Sequence, residues 1–451
     1  MSLELFPHQT TGADFLAQRG FACLWDEMGT GKTPTAIAAC LRIKASKILV
    51  ICPAIMRSVW HNEFEQWAPN YPVTTVEGFV SEPPGDGVTI VSHATLADEA
   101  PPPGSKARRR QSYSIPQLKA GAPYDVIILD EGHQGFTDYN ATRARNFYIP
   151  GGGLYAAARH VWTLTGTPLV NSAADLWLPA YGPLRQPISW YDWCQEYTVM
   201  KPSFDGWKPT GIRHPEKLAD FLRPHVLRRT IDSLGIKLPP LTTQTIPITL
   251  PKAELEQIMR GLDPTDHFRV QRAMENGSEL TDAAIARVRH ALGLAKVPAV
   301  IDHILNKSTS LPLVVFFQHT DVRERIYQYL SQHQPNLRVS WIDGKVTRNQ
   351  VKAAKEWFQD GRLDVLLVQT QAGGVGLTLT RSHHCLLAEL PWTSVARDQA
   401  IARLHRITQT RPVAAEIFRV NGSWLEDLLS SVLTRKSLAS NALLGLLTTS
   451  H

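Results

Sequence analysis

Val126-Ile127-Ile128-Leu129-Asp130-Glu131-Gly132-His133 sets four consecutive apolar residues against two adjacent carboxylates. A short run that is apolar at every position buries both of its faces, as a parallel strand covered by helices does. Working outward, similar runs recur at Ile48 to Cys52, Val88 to Ser92 and Val161 to Leu164. They return at Leu313 to Phe317, Val365 to Val368 and His384 to Ala388. Helix-like stretches separate them, an alternation that predicts an α/β protein with two doubly wound parallel-sheet lobes. The region from about 170 to 290 is rich in Trp, Pro and Arg and poor in strand-like runs, so it is expected to be a helical insertion. The predicted division is 1–170 for the first lobe, 171–290 for the insertion and linker, and 291–451 for the second lobe.

Upstream, Asp26-Glu27-Met28-Gly29-Thr30-Gly31-Lys32-Thr33 leads into the helix-compatible PTAIAACL. Glycines let backbone N–H groups turn towards a phosphate chain, and a helix N-terminus favours the anion. Lys32 is then placed to reach the β/γ oxygens and Thr33 to ligate Mg²⁺. Asp26 stands where the full eight-residue pattern begins with glycine, so the match is partial. Asp130 is expected to hold the Mg²⁺ shell and Glu131 to orient or deprotonate an attacking water. A lone Asp-Glu pair reads as a surface turn, but the two motifs in this order point to ATP hydrolysis. Arg403 and Arg406, three apart in Asp398-Gln399-Ala400-Ile401-Ala402-Arg403-Leu404-His405-Arg406, are expected on one helix face, offering guanidinium charge to a γ-phosphate. Taken alone, that stretch reads better as a helix carrying ordinary surface arginines.

Composition narrows the setting. With 451 residues, 43% of them hydrophobic, the chain is long enough for two or three domains with buried cores. A net charge of +6 suits a polyanionic partner without demanding one. Five scattered cysteines with no CxxC pair fit a reducing interior. His383, His384 and Cys385 alternate across a strand and read as structural. No run approaches eighteen apolar residues, so no membrane span is expected. PPPGSKARRR near 104, with Lys106 and Arg108 to Arg110, reads as an exposed loop that either touches phosphate or is simply solvated. Gly151 to Gly153 read as a flexible connection.

Taken in order, the motifs resemble the helicase-superfamily-two motors of the SWI/SNF type. The resemblance runs from Phe6-Pro7-His8-Gln9 through Cys52-Pro53-Ala54, Val59-Trp60, Val91-Ser92-His93, DEGH and Leu164-Thr165-Gly166-Thr167-Pro168. It continues through Val226-Leu227-Arg228-Arg229-Thr230 and Leu238-Pro239-Pro240, then Ile342-Asp343-Gly344, Gln371 to Thr380 and Leu390-Pro391-Trp392. Gly132, Glu389 and Thr408 depart from the usual residues at their positions.

This resemblance implies RecA-like lobes and a DNA-dependent ATPase that moves along double-stranded or forked DNA, similar to compact fork-remodelling annealing helicases. It implies ATP contacts at Gln9, Gly29, Thr30, Gly31, Lys32 and Thr33. It also implies DNA contacts at Pro53, Ser92, Thr165, Gly373 and Gly374. A strand-separating helicase or the motor of a restriction system is the alternative enzyme, and a non-hydrolysing DNA clamp the alternative outside enzymes. The chain is expected to act as a monomer, with any targeting or nuclease activity supplied by protein partners. The expected setting is the cytoplasm or nucleoid of a prokaryote or phage-infected cell.

Overall fold

The computed structural model describes residues 4–97, 114–138, 141–149, 152–169, 172–184, 186, 188–203, 206–260, 262, 266, 270, 283–306, 311–370 and 377–448. Two compact units are formed, Met1–Ile236 with Ala439–His451, and Lys237–Leu438. The units part inside the 171–290 segment that composition sets aside.

In the first unit the strands are β1 (Phe21–Leu24), β2 (Lys47–Cys52), β3 (Val73–Thr75), β4 (Gly87–Ser92), β5 (Tyr124–Asp130), β6 (Ala158–Leu164), the hairpin β7 (Val199–Ser203) and β8 (Gly206–Thr210), and β9 (Val226–Leu227). Seven of them form one sheet in the order β3-β4-β2-β5-β6-β1-β9, parallel at every pairing. Ile48, Val50, Ile127 and Leu129 of the central strands are fully buried, which is why those runs carry no polar alternation. Helices α1 (Pro7–Ala17), α2 (Lys32–Arg42) and α3 (Arg57–Trp67) belong to this unit. Trp60 and Phe64 of α3 are wholly buried, and Leu443, Leu444 and Leu447 join the core of the same unit.

In the second unit, β10 (Leu241–Ile248), β11 (Leu313–Phe317), β12 (Val339–Ile342), β13 (Val365–Gln369), β14 (His384–Leu387) and β15 (Val413–Val420) form a six-stranded sheet in the order β10-β15-β14-β11-β13-β12. All of its pairings are parallel as well. The α/β class with two parallel sheets expected from the sequence is the observed one.

The segment 171–290 is not poor in strands: it supplies β7 to β10. Leu241-Thr-Thr-Gln-Thr-Ile-Pro-Ile is paired only with β15 and mostly exposed, so nothing in it has to be a continuous apolar run. Its threonines favour strand all the same. Strand β15 is interrupted in sequence by Glu416, yet that carboxylate is buried and accepts from His384 Nε2 at 2.5 Å and His303 Nε2 at 2.8 Å. Both imidazoles hold its carboxyl below the usual range. His384 is thereby committed to a structural contact while Cys385 sits in the core. Replacing Glu416 with Ala strands two half-buried or buried imidazoles. Denaturant unfolding of the second unit should show a loss of about 2–3 kcal/mol, and Glu416→Gln a smaller one.

Candidate nucleotide site

Between β1 and α2 the chain makes a tight loop around Lys32. Gly29 and Gly31 have φ of +88° and +84°, the left-handed region open to glycine. A Cβ on Gly31 would lie 2.1 Å from Gln9 Nε2, so a side chain there would displace the Gln9 amide and strain the left-handed backbone. Thr30 O accepts from His8 Nε2 at 2.9 Å and Gln9 Nε2 at 3.3 Å, and Gln9 Oε1 accepts from Phe6 N at 3.0 Å. These bonds hold α1 on the loop. Lys32 Nζ donates to Asp26 O at 2.8 Å and Glu27 O at 3.1 Å. Burial lowers the pKa of the ammonium, while Glu131, Asp26 and Asp130 pull it back up.

Asp26, the departure from the glycine pattern, is explained by its partner. Its carboxylate, 2% exposed, takes both arms of the fully buried Arg229, Nε at 3.0 Å and Nη2 at 2.5 Å. The same guanidinium donates from Nη1 to His8 O at 2.6 Å. Glu27 N donates to Arg229 O, Ile231 N donates to Glu27 Oε2, and Arg228 Nη1 donates to Trp25 O. The Val226–Thr230 stretch thus clasps the phosphate-type loop from behind, a role that neither motif reveals by itself. Two consecutive arginines after an apolar pair were the available signal.

At the end of β5, Asp130 is buried. Its Oδ2 accepts from Trp60 Nε1 at 2.8 Å, its Oδ1 from Glu131 N at 3.0 Å, and its carbonyl from His93 Nε2 at 2.8 Å. Desolvation, then the adjacent Glu131 charge, push its carboxyl up to about 7. A cation beside it would relieve that crowding, and a carboxylate is a hard oxygen donor of the kind Mg²⁺ takes. Glu131 is itself in the left-handed region, φ +50°. Its Oε2 lies 3.2 Å from His133 Nδ1 and 3.5 Å from Thr165 Oγ1. His133 Nδ1 and Thr165 Oγ1 are 2.8 Å apart, and Thr167 N donates to Thr165 Oγ1 at 3.0 Å. Gly166 is so close to the loop that a Cβ there would meet Met28 Cγ at 2.8 Å.

Residues 8–290 match the SNF2-related domain, and residues 295–408 match the helicase conserved C-terminal domain. The chain belongs to the SNF2-related family. It is similar to the DNA annealing helicase and endonuclease ZRANB3 of Mus musculus, 27% identical over 98% of this chain and 41% of that one. It is also similar to the SWI/SNF-related matrix-associated actin-dependent regulator of chromatin subfamily A-like protein 1 of Xenopus tropicalis, 24% identical over 96% of this chain and 44% of that one. The chain therefore spans about two fifths of the length of these curated relatives. Among solved structures it is similar to the Sulfolobus solfataricus SWI2/SNF2 ATPase core in complex with dsDNA, at 18% identity and a TM-score of 0.44, covering 99% of this chain and 94% of that one.

Within this SNF2-related chain, the first unit brings Gln9, the loop, Asp130 and Glu131 together. Pro53, Ser92 and Thr165 close β2, β4 and β6 respectively, and all three are buried. Ser92 Oγ is bonded to Thr95 Oγ1 at 3.3 Å. Gly373 and Gly374 lie outside the described residues, as do Lys106 and Arg108 to Arg110.

The expectation that Arg403 and Arg406 share a helix face is corrected. The helix ends at Ile401, and both arginines sit on the turns that follow. The cause is competition for carbonyls. Arg403 O accepts from Leu379 N, and Leu404 O from Gln409 Nε2, instead of from residues four further along. Gln409 also donates to Thr380 O and Ser382 O, pinning the turn. Arg406 Nη1 donates to Thr378 Oγ1 at 2.6 Å, and burial lowers the pKa of its guanidinium.

Two outcomes test this geometry. Arg229→Ala leaves the Asp26 carboxylate buried without its partner, so unfolding should show about 3–5 kcal/mol lost; a change below 1 kcal/mol would mean that the clasp contributes little. Asp130 concerns pH. A carboxyl raised from 3.8 to about 7 binds its proton more tightly in the folded state. Its stabilising effect is complete below about pH 4 and is lost as pH rises through about 7. Without Mg²⁺ or nucleotide, the stability difference between Asp130→Asn and the unaltered protein should therefore move in favour of the variant between pH 4 and pH 8. A pH-independent difference would refute the shift.

Proposed function

We propose that the chain is an ATP-dependent motor that moves along double-stranded or forked DNA. The observation that carries this reading is the single electrostatic cluster of Lys32, Asp26, Asp130 and Glu131 at the N-terminus of α2, in a chain of the SNF2-related family. An ammonium, a helix N-terminus and two positive-φ glycines form a cradle for a triphosphate. Gln9, Gly29, Thr30, Gly31, Lys32 and Thr33 are assigned to ATP. Thr33 and Asp130 are assigned to Mg²⁺, which when bound would neutralise phosphate charge. Glu131, held through His133 and Thr165, is assigned the water. Arg403 and Arg406 of the second unit are assigned the positive charge that offsets the γ-phosphate at transfer. The immobilised Arg406 guanidinium favours that use, since a preorganised charge reorganises little during reaction.

A motor that steps over any sequence holds the sugar-phosphate backbone and not base edges. Since the side chains of Pro53, Ser92 and Thr165 are buried, contact at these strand ends is assigned to main-chain groups and exposed neighbours such as Ala54. Gly373 and Gly374 receive the equivalent assignment in the second unit. The likeness to a DNA annealing helicase favours a DNA substrate. No helix among the described residues is long and apolar enough to cross a membrane, and an intracellular setting follows from a DNA substrate. Monomeric action, with partners supplying targeting or nuclease activity, completes the reading.

Lys32→Ala should abolish ATP turnover. Glu131→Gln should retain ATP binding without turnover, and Arg406→Ala should slow turnover by about 10³-fold or more. Turnover near that of the unaltered protein in either of the first two variants overturns the assignment. Blunt or forked duplex should stimulate turnover more than single strands do, and the stimulation should weaken as salt rises. A preference for single strands would favour a strand-separating helicase instead.

A further inference from the structure

Strands β2 and β5 are neighbours in the first sheet, with Ile51 opposite Leu129, so the corner that follows Cys52 and the carboxylate of Asp130 leave the same edge side by side. At that corner Met56 N donates to Pro53 O at 2.8 Å, Ala54 is exposed, and α3 begins at Arg57. Arg57 is buried and uses all three of its side-chain nitrogens. Its Nε donates to Ala54 O at 3.1 Å and its Nη1 to Val76 O, while Nη2 pairs with Glu77 Oε2 at 3.1 Å. The corner is thereby bolted to the first turn of α3. Three residues on, and so on the same side of the helix, stands Trp60.

The indole of Trp60 is wholly buried, with the Phe64 ring packed one turn further on at a centroid distance of 6.0 Å. Its Nε1 donates to Asp130 Oδ2 at 2.8 Å, whereas Oδ1 accepts from Glu131 N, the next residue of the same strand end. Among the described residues, the indole supplies the one hydrogen bond that reaches this carboxylate from another element. Other buried tryptophans of the unit satisfy their N–H on a main-chain carbonyl, Trp177 on Ile188 O and Trp193 on Ala173 O, both at 2.9 Å. Trp60 is aimed instead at the acid assigned to Mg²⁺. A close-packed interior does not take up a displacement by compressing, so a shift of α3 carries the indole with it. A hydrogen bond to a charged acceptor is short and directional, so the carboxylate follows its donor or loses it.

We propose that Trp60 is a positioning residue through which a DNA backbone lying at the Pro53–Ala54 corner acts on Asp130. Contact at the corner shifts the start of α3, and the indole carries that shift to the carboxylate. The inference rests on the DNA-motor reading, with its assignments of the corner to DNA and of Asp130 to Mg²⁺, and adds the link between the two.

Coupling between two sites is reciprocal, so nucleotide and duplex alter each other's binding by the same factor, which is read without turnover. On the full chain, blunt-duplex affinity is measured by fluorescence anisotropy with and without Mg²⁺ and the β,γ-imido analogue of ATP. The ratio of the two affinities is compared between the unaltered protein and Trp60→Phe, which keeps a buried ring and drops the N–H. The ratio should be about 5- to 150-fold in the unaltered protein and fall below about 2-fold in Trp60→Phe, with duplex affinity in the absence of nucleotide retained. A tryptophan that only packs would lower stability and leave the ratio where it was. Arg57→Met, which frees the corner without touching the indole, should lose the ratio as well, and it carries the test if Trp60→Phe does not fold. A ratio of one in the unaltered protein, or a ratio kept in either folded variant, overturns the link and leaves the motor reading standing. Absence of duplex-stimulated ATP turnover in the unaltered protein overturns both.

Discussion

The buried pair of Arg229 and Asp26 is the constraint on which the nucleotide site depends. It joins positions 203 residues apart in the chain and is sealed from water on both sides. Two charges removed from solvent are costly unless every arm is occupied. Here the third guanidinium nitrogen donates to His8 O, so a single side chain ties the end of β9 to the turn at Asp26 and the start of α1. The glycine-rich loop is thereby given a rigid back wall. Its own residues need only supply conformational freedom at Gly29 and Gly31 and charge at Lys32.

On the open side, the wiring runs from Asp130 and Glu131 outward. Trp60 and His93 fix the aspartate, while His133, Thr165 and Thr167 hold the glutamate. The two groups of bonds come from different strand ends of one parallel sheet. The acid that would handle water is thus tied directly to the loop after β6, whose Gly166 presses on Met28 beside Lys32. That loop is therefore in touch with the surroundings of both charges, Glu131 through Thr165 and Lys32 through Gly166.

Much of this was legible in the residues because central parallel strands leave no choice of composition. Leu313–Phe317 was readable to the residue, and the acids at the end of β5 stood out against an apolar run. Strands β10 and β15 were hidden for opposite reasons. One is paired on a single side and tolerates Thr, Gln and Pro, whereas the other buries a charged residue that only His303 and His384 make acceptable. The end of the helix at Ile401 depended on carbonyls captured by Leu379 and Gln409, contacts that no local periodicity encodes. Asp26 looked like a blemish in a glycine pattern until Arg229, far along the chain, gave it a purpose.

The backbone of Glu131 carries a further consequence. An L-residue with a β-carbon sits there in a conformation that costs about 1–2 kcal/mol, with its N–H bonded to Asp130 Oδ1 and its carbonyl accepting from Gln134 N. The turn is therefore a loaded spring whose tension aims the carboxylate. Swapping in glycine would relax it and would also take the carboxylate away from His133 and Thr165.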